Sequence, residues 1–92
     1  MRPLTHAMPG ALAELLREAP LSQGKVNFAW QAAVGAGLAR VSSARLEGRV
    51  IVVEAVDQRW AGEIARASDV IMIRLKTLLG ADAPERLQVR ER

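Results

Sequence analysis

Ser43-Ala44-Arg45-Leu46-Glu47-Gly48-Arg49-Val50-Ile51-Val52-Val53-Glu54 is the stretch whose reading decides the fold. Polar and apolar residues alternate up to Glu47, and a β-branched run follows Gly48-Arg49, the pattern of two strands joined by a tight turn. Glycine as first central residue is the signature of a type II′ two-residue loop. That loop pairs Leu46 with Ile51, Ala44 with Val53, Arg45 with Val52 and Glu47 with Val50. One face then carries Ala44, Leu46, Ile51 and Val53 and is the core face. The other carries Arg45, Glu47, Val50, Val52 and Glu54. Sliding the loop to Glu47-Gly48 keeps these faces, whereas a three-residue loop exchanges them.

Upstream, residues 1–7 read as a short flexible arm and residues 8–92 as one domain. Pro9 suits the first turn of a helix, and Met8, Leu12, Leu15, Leu16 and Ala19 follow at helical spacing until Pro20 stops them. Val26, Trp30, Ala33, Val34, Gly37 and Leu38 form a second one-sided stripe. Gly35 and Gly37, in its last turns, either let another backbone approach or fray the end. Downstream, Asp57 is placed to cap a long helix. Trp60, Ile64, Ala67, Ile71, Leu75 and Leu78 give it one apolar ridge over about six turns, and Gly80 closes it. Leu87 and Val89 alternate with Arg86, Gln88 and Arg90 as a final strand. The order is ααββαβ, an α+β domain with its helices on one face of a small three-stranded sheet. Its expected core is Trp30, Val34, Leu46, Ile51, Val53, Trp60, Ile64, Ile71 and Leu75.

A chain of 92 residues supports one core. Without cysteine it has no disulfide framework, no thiolate metal site and no thiol nucleophile, which fits a reducing compartment. The longest uncharged stretch, Val26 to Ala39, contains Asn27 and Gln31 and is too short for the ~20 apolar residues of a membrane span. Pro3, Thr5, His6, Pro9 and Gly10 interrupt any apolar leader. A cytoplasmic protein is the expectation.

Groups that could converge for catalysis are few. His6 is the one histidine and lies in the arm, away from any acid–base partner or metal set. Gly24-Lys25 lacks the earlier glycine and the following Ser or Thr of a phosphate-binding loop. Gly35-Ala36-Gly37 follows a helix and lacks the third glycine of a dinucleotide fingerprint. Glu14 and Glu18 share their helix face with Arg17 and read as solvated charge. No cofactor, metal or catalytic residue is expected.

The outer face of the sheet is more informative. It carries Arg45, Val50 and Val52 from the hairpin and Arg86, Arg90 and Arg92 from the last strand, with Arg49 at the turn. An apolar strip flanked by arginines is an unusual solvent face. Basic residues number 13 against 10 acidic, and the bias is to arginine, whose guanidinium forks onto phosphate. Arg45, Arg49, Arg86, Arg90 and Arg92 are therefore candidate nucleic-acid contacts, and Val50 and Val52 candidate partner contacts. The competing reading is that another helix or a packing contact covers this face. With Phe28, Trp30 and Trp60 as the whole aromatic set, base stacking has little to work with.

Trp30-x3-Val34-Gly35-x2-Leu38-Ala39, Leu46-x-Gly48 before the valine-rich strand, Trp60-Ala61-x-Glu63-Ile64 and the Leu78-Leu79-Gly80 helix end occur in this order. Together they resemble the DciA family of bacterial replicative-helicase loaders, over roughly Leu12 to Arg90. The resemblance implies a K-homology-like fold, binding to a ring-shaped DnaB-type replicative helicase, and promotion of its loading on single-stranded DNA without an ATPase of its own. Many members carry a long, basic, disordered extension, so this chain reads as a short form with weaker DNA binding expected. The family's usual asparagine near the helix end is absent here, where Arg74, Lys76 and Thr77 stand. The alternative is a K-homology-like RNA- or ribosome-associated binder, which the missing Gly-x-x-Gly clamp weakens. A third is a structural domain that dimerises through Val50 and Val52.

The absence of a phosphate loop has a direct consequence. Purified protein is expected to show no ATP hydrolysis and no saturable heat of ATP binding by calorimetry, and a saturable isotherm would reveal a missed nucleotide site.

Overall fold

A computed structural model of the chain describes residues 10–92. The expected arm over residues 1–7, with His6, lies outside the described residues. Helices α1 (Gly10–Glu18) and α2 (Gln23–Arg40) precede strands β1 (Ser42–Glu47) and β2 (Val50–Ala55). Helices α3 (Gln58–Arg66) and α4 (Ser68–Leu79), a 3-10 turn at Gly80–Asp82 and strand β3 (Arg86–Glu91) complete the domain. The sheet order is β1-β2-β3, with β2 antiparallel to β1 and parallel to β3. This is a small α+β domain of the K-homology-like kind, one helical layer on one face of a mixed sheet. No described helix is long and apolar enough to cross a membrane.

The hairpin forms in the expected register, Leu46 opposite Ile51 and Glu47 opposite Val50. Gly48 has φ 61°, the left-handed value a glycine adopts without steric penalty at the first corner of a II′ turn. Ala44, Ile51, Val53 and Ala55 therefore face the helices and join one core with Val26, Ala29, Trp30, Ala33, Ile64, Ile71, Leu75, Leu78 and Leu79. Val34, Leu46 and Trp60 from the expected core are half-buried at its margin. Each fully buried branched side chain contributes about 1.5–3 kcal/mol. Trp30 is buried too, and its indole N–H donates to Ser42 Oγ (3.0 Å), which in turn donates to the Leu38 carbonyl (2.6 Å).

Two helices depart from expectation. The long third helix is two, α3 and α4, bent at Ala67 (φ −93°, ψ 7°). The hydrogen-bond ladder passes through the bend, because Ala67 N–H donates to both Glu63 and Ile64 carbonyls and Ile71 N–H donates to Ala67. No Gly or Pro marks the site in the sequence. The bend lets α3 rest on β2 and β3 while α4 packs against α1 and α2. In α2, Gly35 takes φ 86°, ψ 164°, a region open essentially to glycine alone, and breaks the helix. No atom lies within 4 Å of where its Cβ would be, so its role is backbone freedom and not a close approach. Arg74 Nη1 on α4 donates to the Ala33 carbonyl (2.8 Å) beside the break. On α3, a hydrogen bond and charge from Arg66 hold the Glu63 carboxyl below its ordinary pKa.

Helix α1 buries only Ala13 among its own residues, so packing alone anchors it weakly. A buried cation does the rest. Lys25 Nζ, on a side chain 2% exposed, donates to the carbonyls of Arg17 (3.1 Å) and Ala19 (2.7 Å) and to Asp82 Oδ2 (3.1 Å). Its three protons thus tie the end of α1, the start of α2 and the 3-10 turn together. Arg17 adds a hydrogen bond to the Thr77 carbonyl (3.2 Å). Removing the anion should hurt more than removing the cation. Asp82→Ala leaves a buried ammonium group short of its counter-ion, at up to about 3–5 kcal/mol, whereas Lys25→Met leaves two carbonyls unpaired and a carboxylate that is 35% exposed to water, at about 1–3 kcal/mol. Urea denaturation of the two variants checks the order, and a negligible loss in Asp82→Ala would show that Asp82 is no part of the clamp.

Candidate nucleic-acid interface

The face of the sheet away from the helices is assembled by register. Arg45 stands opposite Val52, which stands beside Gln88; Val50 stands beside Arg86, and Glu54 beside Arg90. Side chains at alternate positions share a face, so Arg86, Gln88 and Arg90 line one margin in steps of about 6.6 Å. Val50 and Val52 occupy the middle. All five arginines singled out from the sequence lie on this face or at its ends, but they are not equivalent.

Arg45 is already engaged. Its guanidinium lies 2.5 Å from Glu47 and 3.7 Å from Glu54, and its pKa is raised, chiefly by the hydrogen bond to Glu47. It stays charged, yet two carboxylates compete with any phosphate for it. Arg49, at the turn, is 3.2 Å from Glu85. Both pairs are solvent-exposed and worth little in stability, but each lowers the positive potential around its arginine. Arg92 donates to Ser43 Oγ (3.4 Å) across the end of the sheet. Arg86 and Arg90 are exposed, and among the described residues neither forms an ion pair. The available positive charge therefore runs along β3, not across the hairpin.

The valines also differ. Val50 is half-buried, and Val52, expected as part of an exposed partner surface, is 1% exposed. Val52 sits on the central strand, and long side chains on the flanking strands shelter apolar surface at such a position. A partner can touch Val50 but not Val52. Large exposed apolar residues lie instead on the helical layer: Leu12 and Leu15 on α1, Phe28 on α2, Val70 and Ile73 on α4. Phe28, Val70 and Ile73 fall off the apolar stripes read from the sequence, whereas Leu12 and Leu15 belong to the stripe expected of α1 and are nonetheless exposed, Ala13 being the residue that helix buries.

Trp60 offers no free stacking surface on one side, because the Arg59 guanidinium lies over its ring, 4.7 Å from the centroid. Lys25 and Asp82 escaped the sequence reading. The only signal was a lysine bordering the apolar stripe that starts at Val26, one turn after Pro20. Beside the 3-10 turn at Gly80–Asp82 a shallow, open cleft is lined by Arg49, Lys76, Gly80, Ala83, Pro84 and Glu85. Nothing in it pairs a nucleophile with a base. Among the described residues no group of three or more His, Asp or Glu is placed to hold a metal ion.

No curated protein matches the chain. A family model described as "Dna[CI] antecedent, DciA" matches residues 3–89, which takes in both layers and β3 as far as Val89. The description is consistent with a part in helicase loading. The match covers far more than half of the 92 residues, and the chain belongs to the DciA family.

Proposed function

We propose that this chain is an adaptor without catalytic activity of its own, which binds a DnaB-type replicative helicase and promotes its loading on single-stranded DNA. The observation that carries the reading is the family match over residues 3–89. The geometry supports it in two ways. Arg86, Arg90 and Arg92 give β3 a margin of cations free of carboxylate partners among the described residues, suited to a phosphate backbone. Leu12, Leu15, Phe28, Val70 and Ile73 give the helical layer exposed apolar side chains, of the type that a protein partner covers. DNA and helicase thus contact different layers, with Val50 the remaining valine for a contact on the sheet side. DNA affinity is modest because few aromatic rings are available for stacking.

The helicase arm of the reading is tested with purified proteins. Added to a DnaB-type helicase, the domain should co-elute with it and raise unwinding of a substrate with a single-stranded tail. Leu15→Asp together with Ile73→Asp, both surface positions, should abolish co-elution and leave the melting temperature within a few degrees. Absence of a complex with the wild-type domain would overturn the adaptor reading.

The DNA arm reads out as salt dependence. Three phosphate contacts by Arg86, Arg90 and Arg92 give a slope of about −2 in log affinity against log salt, at about 0.7 per contact on single strands. Arg86→Ala with Arg90→Ala should flatten it by about 1.4, whereas Arg45→Ala, already neutralised by Glu47 and Glu54, should change it little. Equal effects of the two changes, measured by fluorescence anisotropy across a salt series, would move the DNA contact away from β3.

A further inference from the structure

The two edges of the sheet are finished differently. Helices pack against both edge strands, α2 on β1 and α3 on β3, but at β1 the Ala44 carbonyl also accepts a hydrogen bond from Gln23 Nε2 (2.9 Å). That edge is partly closed by the chain itself. At β3 the Arg86 N–H donates to the Arg49 carbonyl (3.3 Å) and the Arg92 N–H to the Ala55 carbonyl (2.7 Å). Even-numbered residues therefore turn their backbone groups toward β2. By the alternation of a strand, Leu87, Val89 and Glu91 turn their N–H and C=O groups outward. Among the described residues nothing is hydrogen-bonded to those outward groups.

An open edge invites another strand, and this one has a chemical preference. On its outer face stand Arg86, Arg90 and Arg92, exposed and without carboxylate partners among the described residues. Half-buried Leu87 and Val89 alternate with them on the other face. A strand added here would meet guanidinium groups with every second side chain and an apolar margin with the others. A second copy of β3 would set arginine against arginine, so self-pairing is disfavoured. A nucleic acid could accept from the outward N–H groups and the arginines, but it offers no regular row of donors to the Leu87 and Val89 carbonyls. A peptide backbone offers both in register.

We propose that the outer edge of β3 is a docking strand for an extended segment of a partner protein in which acidic and apolar residues alternate. The inference requires neither helicase nor DNA, but a peptide held by Arg86, Arg90 and Arg92 would compete with the single-stranded DNA proposed for the same arginines. The probe is a synthetic, end-blocked peptide of about nine residues alternating Glu and Val, long enough for a full strand. Its binding to the intact domain should slow amide exchange at Leu87, Val89 and Glu91 by about tenfold or more, read by NMR, and leave β1 amides unchanged. Two further peptides are N-methylated, one on all valines and the other on all glutamates. One of them should lose binding, because only one set of N–H groups faces the β3 edge. Arg86→Glu with Arg90→Glu should weaken the unmodified peptide at least about tenfold, as expected for two charge-assisted contacts. Binding without protection of the three amides, or equal binding by both methylated peptides, would overturn the proposal by reducing the contact to charge alone. Protection of the same amides by a single-stranded oligonucleotide, and not by the peptide, would overturn it in favour of a nucleic-acid edge.

Discussion

The two-residue turn at Gly48-Arg49 governs every surface of this domain. With φ 61° at Gly48, the chain reverses within two residues and sets Glu47 against Val50. Because side chains alternate faces, that single register sends Ile51, Val53 and Ala55 into the helices and Arg45, Val52 and Glu54 to the other side. The parallel partner β3 inherits the same division, Leu87 and Val89 inward and Arg86, Gln88 and Arg90 outward. One residue more in the turn would bury arginines and expose the core. The basic margin and the hydrophobic core are two consequences of one loop length.

Much of this was legible because it depends on local chemistry. The turn residues, the β-branched run and the helical stripes each carry their own signal, and the structure follows them in order and register. What escaped the sequence depended on neighbours distant along the chain. Ala67 bends the third helix without a Gly or Pro, as α3 and α4 pack against different partners. Val52 reads as outward-facing, correctly, but only its place between two strands bearing long side chains explains why outward is not exposed. Arg45 and Arg49 look like free cations in sequence and are ion-paired in space, Arg49 with a residue 36 positions away.

Lys25 shows why such pairings matter for a chain this small. A core of this size leaves little margin, and α1 brings only the half-buried Leu16 against it. Placing an ammonium group among two carbonyls and a carboxylate joins three segments through one residue. Such an arrangement is weak evidence for net stability, since desolvating the ion is costly. Its value lies in specificity. Only one position of α1 brings the Arg17 and Ala19 carbonyls and Asp82 to the same nitrogen, so the helix that bears Leu12 and Leu15 is held in a defined place.

The chemical difference between the faces follows from these constraints. On the sheet side, carboxylates near the hairpin neutralise Arg45 and Arg49, so the positive potential is confined to β3 instead of spreading over the sheet. A narrow row of cations tracks a single backbone, whether of phosphates or of acidic side chains, better than a broad patch that would hold any polyanion in any orientation. On the helical side, exposed apolar residues sit on helices fixed by the Lys25 clamp and by Arg74 at the α2 break. The arginine row and the exposed apolar residues are separated by the thickness of the core, and neither can shift without disturbing the register of the sheet or the position of α1.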